Sequence, residues 1–300
     1  MYDIIVIGGG PAGLVAAIYA RRAKKSVLVI EKSIFGGQIT FSPLVENIPG
    51  FNALSGNEFA EKLVDQVIAL GADFEMCEVQ KIKQGDIKTV VTDSGEFEGK
   101  AVIIATGAKH RRLGLANEEN LIGNGISFCA VCDGAFFTGK KVAVIGGGNS
   151  ALQEAILLSS QASEVYVIQN LDFLTGEASL QEQLKAKPNV KIILGSVLIE
   201  YLGKDEITGI RIKSEKDGEE SEINLDGVFL AIGLVPQNEP FADVLPLDER
   251  GYAKSDENCI IGNGIFTAGD CRTKKIRQVT TAAADGAVAA LAACDYIENL

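Results

Sequence analysis

Residues 4–13 read IIVIGGGPAG, an apolar run that passes directly into a glycine-rich turn. The apolar run predicts a short, buried strand of a parallel sheet. Gly8, Gly10 and Gly13 form the pattern GxGxxG, which permits a tight turn, the approach of a pyrophosphate and close packing of a helix on the strand. Glu31 ends the next predicted strand and could accept hydrogen bonds from both hydroxyls of a ribose. The segment therefore predicts a βαβ unit that binds a dinucleotide.

A second copy of this pattern lies at residues 142–151, which read VAVIGGGNSA. The first glycine and the end of the following strand are 23 residues apart in both copies, from Gly8 to Glu31 and from Gly146 to Gln169. In each copy a strand-rich stretch follows and ends in an apolar strand with a glycine turn. The repeat therefore covers a whole domain plan and not only one motif.

The segment 264–270 is a further predicted strand that ends in glycine and an acid, and a helix is expected from about Thr280. It has no βαβ unit of its own, so we expect it to complete the sheet of the first domain. The predicted fold class is α/β, with two Rossmann-like dinucleotide-binding domains of three layers (ββα), the second inserted into the first. The predicted domains are 1–112 with 245–300, and 113–244.

Composition excludes several classes of function. The chain has 300 residues and a formal net charge of −12, which argues against nucleic acid or an anionic membrane as the main partner. No apolar run reaches the ~18 residues that span a bilayer, and no signal peptide is apparent, so a cytoplasmic location is expected. Two basic clusters, at 109–112 and 272–277, could be local patches or solvated surface loops.

The second glycine pattern departs from a nucleotide site at its end. An NAD site requires a carboxylate there, and an NADP site requires arginines that pair with the 2′-phosphate. This chain has Gln169, Asn170 and Leu171 instead, and no arginine or lysine occurs between Lys141 and Lys185. Either the site no longer binds a nicotinamide nucleotide, or the phosphate contacts come from elsewhere in the chain.

Six cysteines are present, and Cys129 and Cys132 form a CxxC pair before the second glycine strand. The pair could be half of a zinc site, but there is no second CxxC and His110 is the only histidine, so no metal is expected. Inert buried thiols are a further alternative. A redox disulfide is favoured beside two dinucleotide folds, with Asp133 placed to supply protons. The other cysteines are interpreted as ordinary small residues: Cys77, Cys259, Cys271 and Cys294.

Together these segments resemble the low-molecular-weight thioredoxin reductase family, and the resemblance covers essentially the whole chain. The segments that carry it are 8–13, 36–38, 45–50, 105–108, 129–134, 267–270 and 277–279. The resemblance implies a homodimeric flavoprotein that reduces thioredoxin. It implies that Cys132 faces the flavin, that Cys129 attacks the substrate disulfide, that Asp133 acts as the acid, and that the smaller domain rotates between two states.

The resemblance also implies that the first domain binds FAD, with Asp270 on the ribitol and Arg277 beside the isoalloxazine. The residues that it assigns to FAD are Gly8, Gly10, Pro11, Ala12, Gly13, Glu31, Lys32, Gly37, Gln38, Asn47, Val79, Ala105, Thr106, Gly107, Gly269, Asp270, Arg277, Gln278 and Val279.

This chain differs from the family in the segment that would bind the electron donor NADPH. The family normally has His-Arg-Arg beginning at the position of Gln169. In this respect the chain is most similar to the ferredoxin-dependent flavin thioredoxin reductases, which implies that NAD(P)H is not used and that ferredoxin is a partner. FAD accepts electrons singly as well as in pairs, so a one-electron donor is chemically suitable. The alternatives are an NAD(P)H-dependent thioredoxin reductase, a flavin-dependent dithiol oxidase that uses oxygen, and a non-enzymatic redox sensor.

Overall fold

The computed structural model describes residues 1–42 and 45–300. The chain divides into two compact units. The first comprises Met1–Pro43, Ile48–Lys109 and Val235–Leu300, and the second comprises Leu44–Asn47 and His110–Leu234. The chain thus passes between the two units mainly at 109/110 and 234/235. The sequence predicts these two boundaries at 112/113 and 244/245. That the first unit binds FAD stays a prediction. That the second unit carries the CxxC pair without binding NAD(P)H stays a prediction too.

The strands of the described residues are β1 (Tyr2–Ile7), β2 (Val27–Glu31), β3 (Asp73–Met76), β4 (Val79–Lys83), β5 (Lys88–Thr92), β6 (Glu96–Ile104), β7 (Ala108–His110), β8 (Ile126–Ser127), β9 (Lys141–Ile145), β10 (Glu164–Ile168), β11 (Val190–Ile193), β12 (Ser196–Leu202), β13 (Gly209–Ser214), β14 (Glu220–Asn224), β15 (Gly227–Leu230), β16 (Leu234–Pro236), β17 (Ile260–Gly262) and β18 (Ile265–Thr267). The helices are α1 (Pro11–Arg22), α2 (Gly56–Ala69), α3 (Glu118–Leu121), α4 (Ala130–Asp133), α5 (Asn149–Leu158), α6 (Ala178–Lys185) and α7 (Val279–Glu298). None of these helices is both long and apolar enough to cross a membrane.

The first unit is built on a sheet in the order β17-β18-β6-β1-β2-β3, and the antiparallel pair β4–β5 extends it through β6. Its central strands β18, β6, β1, β2 and β3 run parallel. The strand at 265–267 pairs with β6 in this sheet, which confirms the prediction that the last segment completes the first domain.

The core of the first unit lies on both faces of the parallel sheet, because side chains alternate along each strand. Ile4 and Val6 point into a cluster that includes residues of α1 and α7. Ile5 and Ile7 point into a second cluster, formed with residues of β4, β5 and the segment around Phe241. The strand reads as a continuous apolar run because both of its faces are covered.

The second unit repeats this plan. A parallel sheet in the order β11-β10-β9-β15-β8 has one core toward α5 and α6 and another toward the antiparallel sheet β12-β13-β14. The predicted helix at 151–160 is α5, which begins two residues earlier and ends two residues earlier. The sequence did not indicate α6 or β11, which are short and so carry little periodicity. It also did not indicate β12.

Candidate functional site

The first glycine turn has the geometry that its pattern predicts. Gly8 has φ +110°, and its N–H donates to Ile30 O at 2.8 Å. A Cβ at this position would lie 2.3 Å from Ala105 O, and a Cβ at Gly13 would lie 1.9 Å from Gly8 O. A Cβ at Gly10, by contrast, would have no neighbour closer than 4.0 Å, so this side of the turn is open. α1 starts here with no side-chain cap, and its N-terminal N–H groups are therefore available to an anion.

Glu31 lies at the end of β2 and is held by three backbone donors. Gly9 N–H donates to Oε2 at 2.8 Å, and the N–H groups of Lys32 and Ser33 donate to Oε1 at 2.9 Å each. The carboxylate is thus fixed in orientation before any ligand binds. It lines a cleft of the first unit together with Gly8, Lys32, Val79, Thr106 and Phe241.

The predicted FAD contacts lie at one edge of the first unit's sheet. The glycine turn follows β1, Glu31 ends β2, residues 105–107 follow β6, and residues 269–270 follow β18. These four strands are parallel, so their carboxyl ends meet at the same edge, where ligands of open α/β sheets bind. Arg277 and Gln278 directly precede α7, which begins at Val279. Asn47 is the exception, because it clusters with the second unit.

This edge is braced by contacts that the sequence did not indicate. Thr106 Oγ1 donates to Asn238 Oδ1 at 3.3 Å, and the buried Asn238 donates in turn to Cys271 O at 2.7 Å. Gln38 Nε2 donates to Ala108 O. Asn238 lies far from every recognised motif in sequence, so only the fold reveals its contact with the β6 turn.

Two polar side chains at this edge have atoms without a hydrogen-bond partner in the described part of the chain. They are Asp270, through Oδ1, and Arg277, through Nε. Burial raises the pKa of Asp270, although the charges of Lys274 and Arg277 oppose the shift. The Arg277 guanidinium lies 4.4 Å from the centre of the Tyr252 ring. Buried polar atoms normally have partners, so these two atoms fit a ligand with hydroxyl and carbonyl groups.

Asp285 on α7 is a buried carboxylate that the sequence analysis missed. Arg272 Nε and Nη2 donate to its two oxygens at 2.9 Å each, Lys274 Nζ donates at 2.8 Å, and Gly269 N–H donates at 3.0 Å. The interpretation of 272–277 as an exposed basic patch or solvated loop is therefore wrong for Arg272 and Lys274, which turn inward because Asp285 pairs with both. The signal in the sequence was an acid within the apolar, alanine-rich stretch 282–294.

Cys129 and Cys132 form a disulfide with a Cα–Cα distance of 5.3 Å. Cys129 directly precedes the single turn of α4, and its Sγ accepts a hydrogen bond from Cys132 N–H at 3.2 Å. Both cysteines are half-buried, whereas Val131 between them is 61% exposed. The other four cysteines are buried and free, as expected of ordinary core residues. No group of three or more metal-ligating side chains occurs in residues 1–42 or 45–300.

Asp133 is the last residue of α4 and is connected to the cysteine pair through Ser127. Ser127 Oγ donates to Asp133 Oδ2 at 2.6 Å and accepts from Cys129 N–H at 3.1 Å. Asp133 Oδ1 is buried and has no partner in the described residues. Burial raises the pKa of Asp133, and the hydrogen bond from Ser127 opposes that shift. The sequence analysis identified the acid but missed Ser127.

The second glycine turn keeps the backbone of the first. Gly146 has φ +129°, and its N–H donates to Ile168 O at 2.8 Å, as Gly8 does to Ile30. Gln169, 5% exposed, stands where Glu31 stands in the first copy. Its amide packs on Gly147, where an added Cβ would lie 2.6 Å from Gln169 Cδ.

The loop after Gln169 folds back onto this turn. The N–H groups of Thr175 and Gly176 both donate to Gly147 O at 2.9 Å. Asn149 and Glu177 exchange two hydrogen bonds, of 3.0 Å from Asn149 Nδ2 and of 2.7 Å from Glu177 N–H. A carboxylate thus lies at the start of α5, and no cation occurs in the loop.

Comparisons with known proteins agree with the fold. The family described as "Pyridine nucleotide-disulphide oxidoreductase" matches residues 2–286. The "34.2 kDa protein in rubredoxin operon" of Clostridium pasteurianum is 43% identical, covering 98% of this chain and 97% of that protein. Thioredoxin reductase of Listeria monocytogenes is 40% identical, covering 100% of this chain and 95% of that protein. The crystal structure of thioredoxin reductase from Streptococcus pyogenes matches with a TM-score of 0.94 and 40% identity, covering 100% of this chain and 99% of that chain. The predicted α/β fold with two dinucleotide-binding domains is confirmed.

Proposed function

This chain belongs to the pyridine nucleotide-disulphide oxidoreductase family, and we propose that it is a homodimeric, cytoplasmic flavoprotein that reduces thioredoxin, with reduced ferredoxin as its electron donor. FAD held by the first unit would link ferredoxin to the Cys129–Cys132 disulfide, and the reduced cysteine pair then reduces thioredoxin. The relatives named as thioredoxin reductases support the acceptor. The proposal that ferredoxin is the donor rests on the second glycine turn and the loop that follows it.

The first unit fits FAD. Gly8, Gly10 and the N-terminus of α1 offer an open anion site, and Glu31 offers a fixed carboxylate for ribose hydroxyls. The partnerless polar atoms of Asp270 and Arg277 suit the polyhydroxyl chain and ring edge of a flavin. When bound, FAD supplies the redox chemistry that links a one-electron donor to a two-electron disulfide.

The protein's own residues carry out the disulfide exchange. Two electrons and two protons convert the Cys129–Cys132 disulfide to the dithiol. The Cys129 thiolate attacks one sulfur of the thioredoxin disulfide, and the sulfur that leaves takes a proton from Asp133. Cys132 then loses its proton and attacks Cys129 Sγ, which re-forms the disulfide and releases the second thioredoxin sulfur. The two protons given up by Cys129 and Cys132 protonate that sulfur and restore neutral Asp133. Burial raises the pKa of Asp133, which favours the protonated form that a proton donor requires.

One observation carries the choice of donor: the loop 170–177, which lies against the second glycine turn, contains no cation. A 2′-phosphate would have no guanidinium partner there, and Glu177 adds a negative charge near Asn149 at the start of α5. Gln169 cannot replace a carboxylate as acceptor for two ribose hydroxyls while its amide is packed on Gly147. Each ferredoxin supplies one electron, so two are consumed per disulfide reduced.

The test is anaerobic turnover of the FAD-loaded protein with thioredoxin, supplied in parallel with reduced ferredoxin, NADPH or NADH. Thioredoxin thiols are counted with a chromogenic disulfide, and Cys132→Ser is the control that blocks transfer beyond the flavin. We expect turnover with ferredoxin alone. Equal or faster turnover with NADPH would support the ordinary NAD(P)H-dependent reductase instead, and oxygen uptake driven by a small dithiol without thioredoxin reduction would support the oxidase.

A further inference from the structure

Ser127 occupies a position between the cysteine pair and the acid. It ends β8, is 5% exposed, and its backbone is paired with the fully buried Phe229 of β15. Its hydroxyl donates to Asp133 Oδ2 at 2.6 Å and accepts from Cys129 N–H at 3.1 Å. One side chain thus joins the backbone of the first cysteine to the carboxyl group at the end of α4, from the edge strand β8 of the sheet.

These two hydrogen bonds determine where a proton on Asp133 must be. A hydroxyl has one proton to donate. Cys129 N–H takes one lone pair of the Ser127 oxygen, and Asp133 Oδ2 is the acceptor that the described residues offer to the hydroxyl proton, so a carboxyl proton on Oδ2 would leave the hydroxyl proton without a partner. A neutral Asp133 therefore carries its own proton on Oδ1, the oxygen that has no partner among the described residues. The chain of two hydrogen bonds also fixes the rotation of the carboxyl group, since each bond polarises the next.

We propose that Ser127 is a positioning residue of the disulfide exchange: it fixes Asp133 so that Oδ1 holds the transferable proton, and it ties this acid to the backbone of Cys129. The inference rests on the proposed role of Asp133 as the acid. Ser127 does not touch the thioredoxin disulfide and exchanges no proton with it.

Among the groups around Asp133, Ser127 is the polar group that has the main effect on its pKa. α5 packs against α4, and its ionisable side chain is Glu154, whose pKa burial raises to about 8. β8 and the turn 134–137 carry no ionisable side chain. His110, stacked 4.6 Å from the neighbouring Phe128, has a pKa lowered to about 4 by burial and by Arg112, so it is neutral at pH 7. The thiols of Cys129 and Cys132 titrate only in the reduced protein.

The test compares Ser127→Ala with Ser127→Thr, which keeps the hydroxyl, and with Ser196→Ala. Ser196 is a matched control, because it is 6% exposed in the same unit and its hydroxyl donates to a backbone carbonyl, Leu194 O. Difference infrared spectroscopy of the reduced FAD-loaded protein follows the Asp133 carboxyl band against pH, with Asp133→Asn assigning the band. The reaction of the reduced protein with a small chromogenic disulfide follows exchange without thioredoxin or ferredoxin.

Loss of the donor to Oδ2 is expected to raise the pKa of Asp133 and to move the alkaline limb of the exchange rate to higher pH. The exchange rate below that limb should fall about tenfold, as for loss of a hydrogen bond to an ionisable group. Ser127→Thr and Ser196→Ala should keep the wild-type pKa and rate. A slower Ser127→Ala protein with an unchanged carboxyl pKa would overturn the proposal, and so would an alanine variant that matches the wild type.

If Ser127→Ala fails to fold, an infrared measurement on the wild-type protein tests the proposal instead. The C=O band of neutral Asp133 should lie at the lower frequency of a hydrogen-bonded carbonyl, and a band at the frequency of a free acid would overturn the proposal. Failure of the proposed function is distinguishable, because it would show as absent thioredoxin reduction while the Asp133 band still reported on Ser127.

Discussion

Replacing Asp285 with alanine is expected to destabilise the first unit strongly. The carboxylate pairs with Arg272 and Lys274, and the three side chains keep only 11%, 9% and 8% of their surface exposed. Truncation would leave two buried cations without their counter-charge. Removing one partner of a buried ion pair costs about 3–5 kcal/mol, so the free energy of unfolding should fall by roughly that amount.

Two further variants test whether charge is the cause. The triple variant Arg272→Met, Lys274→Met, Asp285→Leu removes the whole cluster and should recover most of the lost stability, because apolar side chains of similar size replace buried ion pairs well. Glu96→Ala removes the partner of Lys83 in an exposed ion pair, where Glu96 is 52% exposed, and should cost far less because both charges stay hydrated.

The effect of Asp285→Ala should also depend on pH. Burial raises the pKa of Asp285, but hydrogen bonds and charge from Arg272 and Lys274 outweigh it, so the pKa lies below 3.8. A carboxyl group whose pKa is lowered by folding stabilises the fold above its unfolded pKa, and that stabilisation is lost as the pH falls through the folded pKa. The difference in the free energy of unfolding between the wild type and Asp285→Ala should therefore be largest at neutral pH and should decrease as the pH falls below 3.8.

Urea unfolding followed by far-ultraviolet circular dichroism measures these differences, since the chain has no tryptophan. Flavin fluorescence, recorded in the same samples, reports when the first unit releases FAD. The reasoning is refuted if Asp285→Ala unfolds at the same urea concentration as Glu96→Ala, or if the triple variant is no more stable than Asp285→Ala.

Three other variants test the site. Asp133→Asn should slow thioredoxin reduction by about 10²–10⁴-fold through loss of the general acid, while stopped-flow reduction of the flavin by the donor stays unchanged; slowing of both steps would contradict this assignment. Asp270→Leu should weaken FAD binding at least about tenfold, because it removes a buried acceptor, and FAD titration by absorbance would contradict the assignment if the affinity were unaltered. The variant Gln169→His, Asn170→Arg, Leu171→Arg should gain affinity for NADPH but not for NADH in calorimetry, since the new guanidinium groups would pair with the 2′-phosphate. Binding of neither nucleotide would show that the loop 170–177, and not the missing charge, closes the site.

The parallel sheets and both glycine turns could be predicted because their signals are local. An apolar strand, a GxGxxG or GxGxxA turn and a helix follow one another within about a dozen residues, and each step has its own physical cause. The pairing of 265–267 with the first sheet was also predictable, because a strand without its own βαβ unit needs a host. Short, half-exposed elements such as α6 and β11 have too little periodicity to be found this way.

The supporting residues of the site could not be predicted because their partners are distant or of ordinary type. Asp285 meets Arg272 and Lys274 only when α7 packs beside the turn at 269–271, so a run of cations was interpreted as surface. Ser127 lies six residues from Asp133, and a serine beside a CxxC pair has no distinctive pattern. Asn238 braces the β6 turn from a segment more than a hundred residues away.

The identity of the electron donor is the central claim, and anaerobic spectrophotometric titration of the oxidised FAD-loaded protein tests it most directly. Substoichiometric reduced ferredoxin should bleach the flavin, with thioredoxin thiols appearing at one pair per two ferredoxins oxidised. Micromolar NADPH and NADH should leave the flavin spectrum unchanged, because Gln169 stands where Glu31 stands in the first copy and the loop 170–177 has no cation for a 2′-phosphate. Rapid bleaching by either nucleotide, followed by thioredoxin reduction, would contradict the account.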